Sequence, residues 1–197
     1  MFAGEYASCR SSLWRNFAGH VVLPWALQGL EPNGRLLELG TGSAAMAAGT
    51  AARYPGVHVT ATDLDPAMVQ VAAARLAPYR NATAEQADVS HLPFADASFD
   101  VVTSFLMLHH VGDWRGGVEQ AYRVLRPGGT FVGYDFTDAF VARALHLHDR
   151  TPHRLLHRRD LLAALATAGF ARPVVSYGCG RQLMRFITVK PAEPVKA

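Results

Sequence analysis

A chain of 197 residues, half of them hydrophobic and 18% charged, is long enough for one globular domain with a sizeable core and too apolar to be disordered throughout. The formal net charge of +3 comes from scattered arginines, Lys190 and Lys196 being the only lysines, and the single cluster "HRLLHRRD" reads as a solvated helix face, so no nucleic-acid partner is expected. Cys9 and Cys179 read as free thiols, no apolar run reaches the roughly 18 residues of a membrane span, and "MFAGEYASCRSSLWR" lacks a leader's basic and apolar regions. The expectation is a soluble, cytoplasmic protein.

In chain order, apolar runs of strand length alternate with segments of helical period, the pattern of a parallel sheet covered on both faces. "RLLEL" is the first strand, and "AAMAAGTAARY" a helix that stops before Pro55 and Gly56. "VHVTAT" is a second strand, and "DPAMVQVAAARLA" a second helix with Asp65 as N-cap and Pro66 at its first position. "NATAEQAD" is a weaker third strand, ended by Asp88, and "FDVVTSFLML" a fourth, apolar enough to be central. "DWRGGVEQAYRVL" is helical until "RPGG" breaks it, and "TFVGYDF" is the fifth strand. "AFVARALHLH" and "DLLAALATAGF" read as helices, the latter capped by Asp160. "RPVVSYG" and "LMRFITV", joined by "CGRQ", form an antiparallel pair. No repeat or linker marks a second domain.

The first strand runs straight into Gly40, Thr41, Gly42, Ser43, Ala44 and Ala45, a literal GxGxx(G/A). Glycines there permit a tight turn and close approach of backbone to a ligand, although glycine pairs after strands also serve as plain turns. Glu38 separates the readings. A carboxylate two residues before Gly40 would repel a pyrophosphate and suit a cation. Asp63 closes the second strand about twenty residues after Gly42, where an acid reaches ribose hydroxyls in doubly wound folds. With Asp65 available for capping, Asp63 is left for a ligand, and Asp63→Ala is expected to cost affinity with little loss of folding. Glu38, Asp63 and Asp88 all fall on the edge where parallel strands end, which is where open α/β sheets bind ligands.

The phrases "LLELGTGSA", "TATDLDPAMV", "ADVSHLPFADASFDVVTSFLMLHHV" and "AYRVLRPGGTFVGYD", in this order, resemble the class I S-adenosylmethionine-dependent methyltransferases, in the style of the ubiquinone/menaquinone-biosynthesis-like branch. The resemblance runs from Leu36 to Asp135. It implies a single-domain α/β, Rossmann-like, doubly wound sheet of seven strands, mostly parallel with the last reversed. Implied too are S-adenosylmethionine as cofactor and methyl transfer to a small acceptor by in-line displacement. By resemblance, Glu38, Gly40, Thr41, Gly42 and Ser43 line the methionine end, and Asp63 takes the ribose with Leu64 beside the adenine. Asp88 and Val89 hold the adenine edge, and Ser104, after strand four, faces the amino-acid portion. Ala44 departs from the family in standing where many members carry a third glycine.

The cofactor brings its own electrophile, so no catalytic triad is expected and at most a base is needed. His109, His110 and Asp135 are candidates, each with a structural reading beside the functional one. His146, His148, His153 and His157 have metal-like spacings but no completing partner, so no metal is expected and the segment reads as acceptor wall. Residues 1–30 are expected to form a helical lid carrying Tyr6, Trp14 and Phe17, and residues 31–197 the cofactor-binding domain. The aliphatic and aromatic ends favour an apolar or aromatic small molecule. A nicotinamide-dependent oxidoreductase and a non-catalytic cofactor-binding module are the alternatives; the first lacks a YxxxK pair and gives Glu38 and Asp88 no task.

Overall fold

The computed structural model describes residues 17–137 and 156–192. Within them lies a seven-stranded sheet in the order β3-β2-β1-β4-β5-β7-β6. Its strands are β1 (Arg35–Leu39), β2 (His58–Asp63), β3 (Ala82–Gln86), β4 (Phe99–Phe105), β5 (Leu125–Phe136), β6 (Ala171–Gly178) and β7 (Leu183–Val189). The first five are mutually parallel, while β7 is antiparallel to β5 and β6. Chain order reverses between β1 and β4, which puts the topological switch point beside the glycine loop.

Burial follows strand position. β1 and β4 are covered on both faces, and their continuous apolar runs match that; the edge strands β3 and β6 are largely open to solvent. Helices α2 (Ala45–Arg53), α3 (Pro66–Leu76), α4 (Trp114–Val124) and α5 (Arg158–Ala168) pack on the two faces. Asp65 caps α3 by accepting from the Ala67 N–H at 2.8 Å, with Pro66 at the first position, as expected.

Before β1, a π-helical turn (Ala18–Val22) leads into α1 (Leu23–Leu27). Gly19 meets Gly49 of α2 so closely that a Cβ on Gly49 would lie 2.9 Å from the Gly19 Cα. Ala18, Leu23, Ala26 and Leu27 are buried, and the Trp25 ring sits edge-on to Tyr134 with its centroid 5.3 Å away. This part of the expected lid is thus a layer of the same core as the sheet. Tyr6 and Trp14 lie outside the described residues, as do the helix expected at "AFVARALHLH" and His146, His148 and His153; Phe17 is half exposed.

Three local expectations are corrected. "RPGG" does not separate α4 from β5: the strand begins at Leu125, opposite Phe99, and resumes at Thr130, opposite Val101, with the four residues looped out between. Lys190 locks that loop, accepting from the Gly128 N–H and donating to the Gly129 carbonyl, both at 2.8 Å. Helix α5 starts at Arg158 with His157 as its N-cap, so Asp160 lies in the first turn, where it still faces the helix dipole. β4 stops at Phe105, because Leu106 turns into the left-handed region (φ 51°) and Leu108–His110 forms a 3-10 turn.

Candidate active site

The loop after β1 takes its shape from three alternate left-handed residues, Gly40 (φ 61°), Gly42 (φ 53°) and Ala44 (φ 57°). At the last of these an alanine is strained where a glycine would not be, at a cost of roughly 1 kcal/mol. Gly40 is glycine for a second reason: a Cβ would lie 2.0 Å from the Met107 Cγ, because Met107, in the turn after β4, rests on it.

Two strand-end acids are stitched to this loop. Asp63 accepts the Gly42 N–H through Oδ2 at 2.8 Å and the Asp65 N–H through Oδ1 at 3.0 Å. Each of its oxygens still has a second lone pair for a ligand. Its carboxylate is therefore part of the loop's scaffold, so Asp63→Ala is expected to cost stability as well as affinity. Glu38, next to last in β1, is 2% exposed; its Oε1 accepts from the Thr41 hydroxyl at 2.7 Å while Oε2 is buried with no hydrogen-bond partner. Burial pushes its carboxyl up to about 7, only partly opposed by the Thr41 hydrogen bond. The loop is further tied to β2 by the Thr41 N–H on the Thr62 carbonyl at 2.8 Å.

The other expected residues fall along the same edge with varied surroundings. Leu64 is 63% exposed beside Asp63, an apolar side chain offered to solvent. Ser43 is buried, and its hydroxyl accepts from the Arg75 guanidinium of α3 at 2.9 Å. Asp88 lies two residues beyond the end of β3 rather than closing it. Its Oδ1 accepts from both the N–H and the hydroxyl of Ser90 at 2.8 Å, bonds that hold its carboxyl below the usual range. Val89 packs its side chain against Gly117 of α4. Ser104 is inside β4 rather than after it; it is fully buried and its Oγ has no partner.

Across the switch point, the ends of β4 and β5 close on each other. The buried His109 Nδ1 lies 2.5 Å from Asp135 Oδ1; the same oxygen accepts the Phe136 N–H at 2.7 Å, and Oδ2 accepts the His109 N–H at 3.3 Å. The His110 ring lies against that of His109, centroids 3.9 Å apart and planes tilted by 41°.

This donor and acceptor set discriminates between ligands. A pyrophosphate needs free N–H groups at the glycine turn, yet the Gly42 N–H is taken by Asp63 and the Ala44 N–H by the Thr41 carbonyl, with a buried carboxylate underneath. The orphaned Glu38 oxygen calls instead for a cationic, hydrogen-bonding group; the orphaned Ser104 hydroxyl, in register with Leu39 rather than Glu38, is directed to the other face of the sheet. The charged amino-acid end and sulfonium of S-adenosylmethionine fit that demand; a dinucleotide does not. Residues 37–133 match the methyltransferase-domain family. Those residues form a methyltransferase domain.

Among relatives, a demethylmenaquinone methyltransferase of Clavibacter sepedonicus is 37% identical over 64% of this chain and 48% of its own length. A malonyl-[acyl-carrier protein] O-methyltransferase of Geobacter sulfurreducens is 35% identical over 73% of this chain and 57% of its own. The chain thus spans about half the length of these curated relatives. A solved structure from Thermotoga maritima, described as an S-adenosylmethionine-dependent methyltransferase, superposes with a TM-score of 0.76 at 21% identity, covering 96% of each chain, and shares the fold. Among the described residues no group of three metal-ligating side chains occurs, and no helix is long and apolar enough to cross a membrane.

Arg75 and Met107 went unseen in the sequence. Nothing in "AAARLA" marks Arg75 as the partner of Ser43, and only the demand for glycine at position 40 hints that another side chain covers it.

Proposed function

We propose that this chain transfers a methyl group from S-adenosylmethionine to a small, apolar or aromatic acceptor. The observation that carries the reading is the buried, unpartnered Glu38 oxygen beneath a glycine loop whose Gly42 N–H is already committed to Asp63. Bound there, the cofactor supplies an electrophilic methyl on a cationic sulfur, leaving the protein to align the reactants at about 3 to 3.5 Å and exclude water.

The chain's own groups divide that work. Glu38 receives the charged amino-acid end, with Gly40, Thr41, Gly42 and Ser43 shaping the turn around it. Asp63 uses its remaining lone pairs for the ribose hydroxyls, and exposed Leu64 covers one face of the adenine. Asp88 and the Val89 backbone take the adenine edge. A small, apolar acceptor is supported by the relatives named for demethylmenaquinone.

The test is incubation with methyl-labelled S-adenosylmethionine and a panel of quinols, phenols and carboxylic acids, read by mass spectrometry for the gain of one CH2 unit. Label transfer to any of these supports the reading. Tight S-adenosylhomocysteine binding without transfer to any acceptor favours a non-catalytic module, and no binding overturns it.

A further inference from the structure

The His109–Asp135 pair is not needed to hold a cofactor, and its burial calls for a reason. Taking a carboxylate and an imidazole out of water is costly unless every acceptor is used. Here the carboxylate takes one imidazole and two backbone donors, so it is held in a single orientation. With Asp135 accepting, the His109 Nδ1 carries the hydrogen. The pair sits in a turn that reaches two places at once. At one end Met107 rests on Gly40, and at the other His110 is exposed on the rim, its ring against His109 and its N–H on the Met107 carbonyl at 2.9 Å. The titratable groups of this turn are His109, Asp135 behind it from β5, and Asp113, whose Oδ1 accepts the Gly116 N–H at 3.0 Å.

We propose that His110 takes the proton of the methyl acceptor and that His109 and Asp135 position it and favour its charged form. The inference rests on the methyl-transfer reading and deepens it, since it selects acceptors that must lose a proton near neutral pH, such as a phenolic O–H or the ring carbon of a quinol. As the acceptor's electron pair closes on the methyl carbon, the carbon–sulfur pair stays on sulfur. The acceptor's proton passes to the His110 imidazole, which returns it to water. The buried Asp135 charge, poorly screened, stabilises the imidazolium formed on the far side of the tilted His109 ring.

Two measurements on the full chain test this. In NMR with labelled histidine, with His110 assigned by its loss in His110→Ala, Asp135→Asn is expected to lower the His110 titration midpoint by about half a pH unit or more. A midpoint unmoved by that change overturns the proposal. His110→Ala alters an exposed side chain and so keeps the test open if Asp135→Asn does not fold. It is expected to bind S-adenosylhomocysteine like wild type, yet to transfer label to reduced demethylmenaquinone at least tenfold more slowly at pH 7, with recovery as the pH rises. Wild-type transfer by His110→Ala overturns the proposal alone; failure of wild type to bind S-adenosylhomocysteine overturns the methyl-transfer reading with it. Should wild type not accept that quinol, the His110 titration decides by itself.

Discussion

The two halves of the sheet's ligand edge are built on opposite principles. On the β1–β2 side a polar atom is left open: Glu38 Oε2 is buried without a partner, and the apolar Leu64 beside Asp63 stands exposed. On the β4–β5 side polar atoms close on each other, with both Asp135 oxygens used and the His109 ring locked to them. Buried polar groups are almost always satisfied, so an open half marks where a ligand completes the structure and a closed half marks where a side chain is held in position.

The comparison is broken most severely at Glu38. Its carboxyl is raised to about 7 from an ordinary 4.5, so the folded protein holds a proton there that the unfolded chain releases. The stability tied to that proton is complete below about pH 4.5 and is lost as the pH rises through 7, a cost of about 3 kcal/mol by pH 8. Glu38→Gln removes the cost while keeping an acceptor for the Thr41 hydroxyl. In the ligand-free protein at pH 8 it should raise stability by an amount approaching that figure, and flatten the decline of Tm between pH 5 and 8. Denaturant titrations at the two pH values check this; an unchanged Tm profile would mean that Glu38 is not desolvated.

Gly40→Ala comes next. Collision with Met107 and the left-handed backbone together should cost about 2 to 4 kcal/mol in chemical unfolding. Met107→Ala in the same chain should recover part of that loss, and no recovery would mean that Met107 is not what Gly40 accommodates. At Asp63, Ala strands the Gly42 and Asp65 N–H groups and is expected to cost about 1 to 3 kcal/mol along with S-adenosylhomocysteine affinity, whereas Asn, keeping one acceptor oxygen, should cost less in both assays. The smallest effect is Ala44→Gly. Relief of the left-handed backbone and the glycine entropy cost nearly cancel, leaving a change within about 1 kcal/mol.

Much of this edge was legible in the sequence because it is written locally. "RLLEL" followed by glycines, "DPAM" with its cap and proline, and the terminal pair around "CGRQ" each carry their own signal within a few residues, and the sheet follows from their alternation. What was missed depends on residues far apart in the chain. His109 and Asp135 were each visible as candidates, but their pairing exists only because β4 and β5 run side by side in register. The Arg75–Ser43 contact and the Met107–Gly40 contact are products of packing and have no local pattern. Asp160 was misplaced because the helix gains a turn from Arg158 and Arg159, which carry no start signal. The fourth strand is shorter than its sequence suggests because "SFLML" stays apolar past the point where Leu106 turns the backbone.

The central claim is that the unpartnered Glu38 oxygen recognises the cationic end of S-adenosylmethionine. Calorimetric titration of S-adenosylhomocysteine into wild type and Glu38→Gln at pH 8 tests it most directly. Loss of a buried charge partner worth about 3 kcal/mol predicts affinity roughly a hundredfold weaker in the variant. Equal dissociation constants for the two proteins would contradict the account.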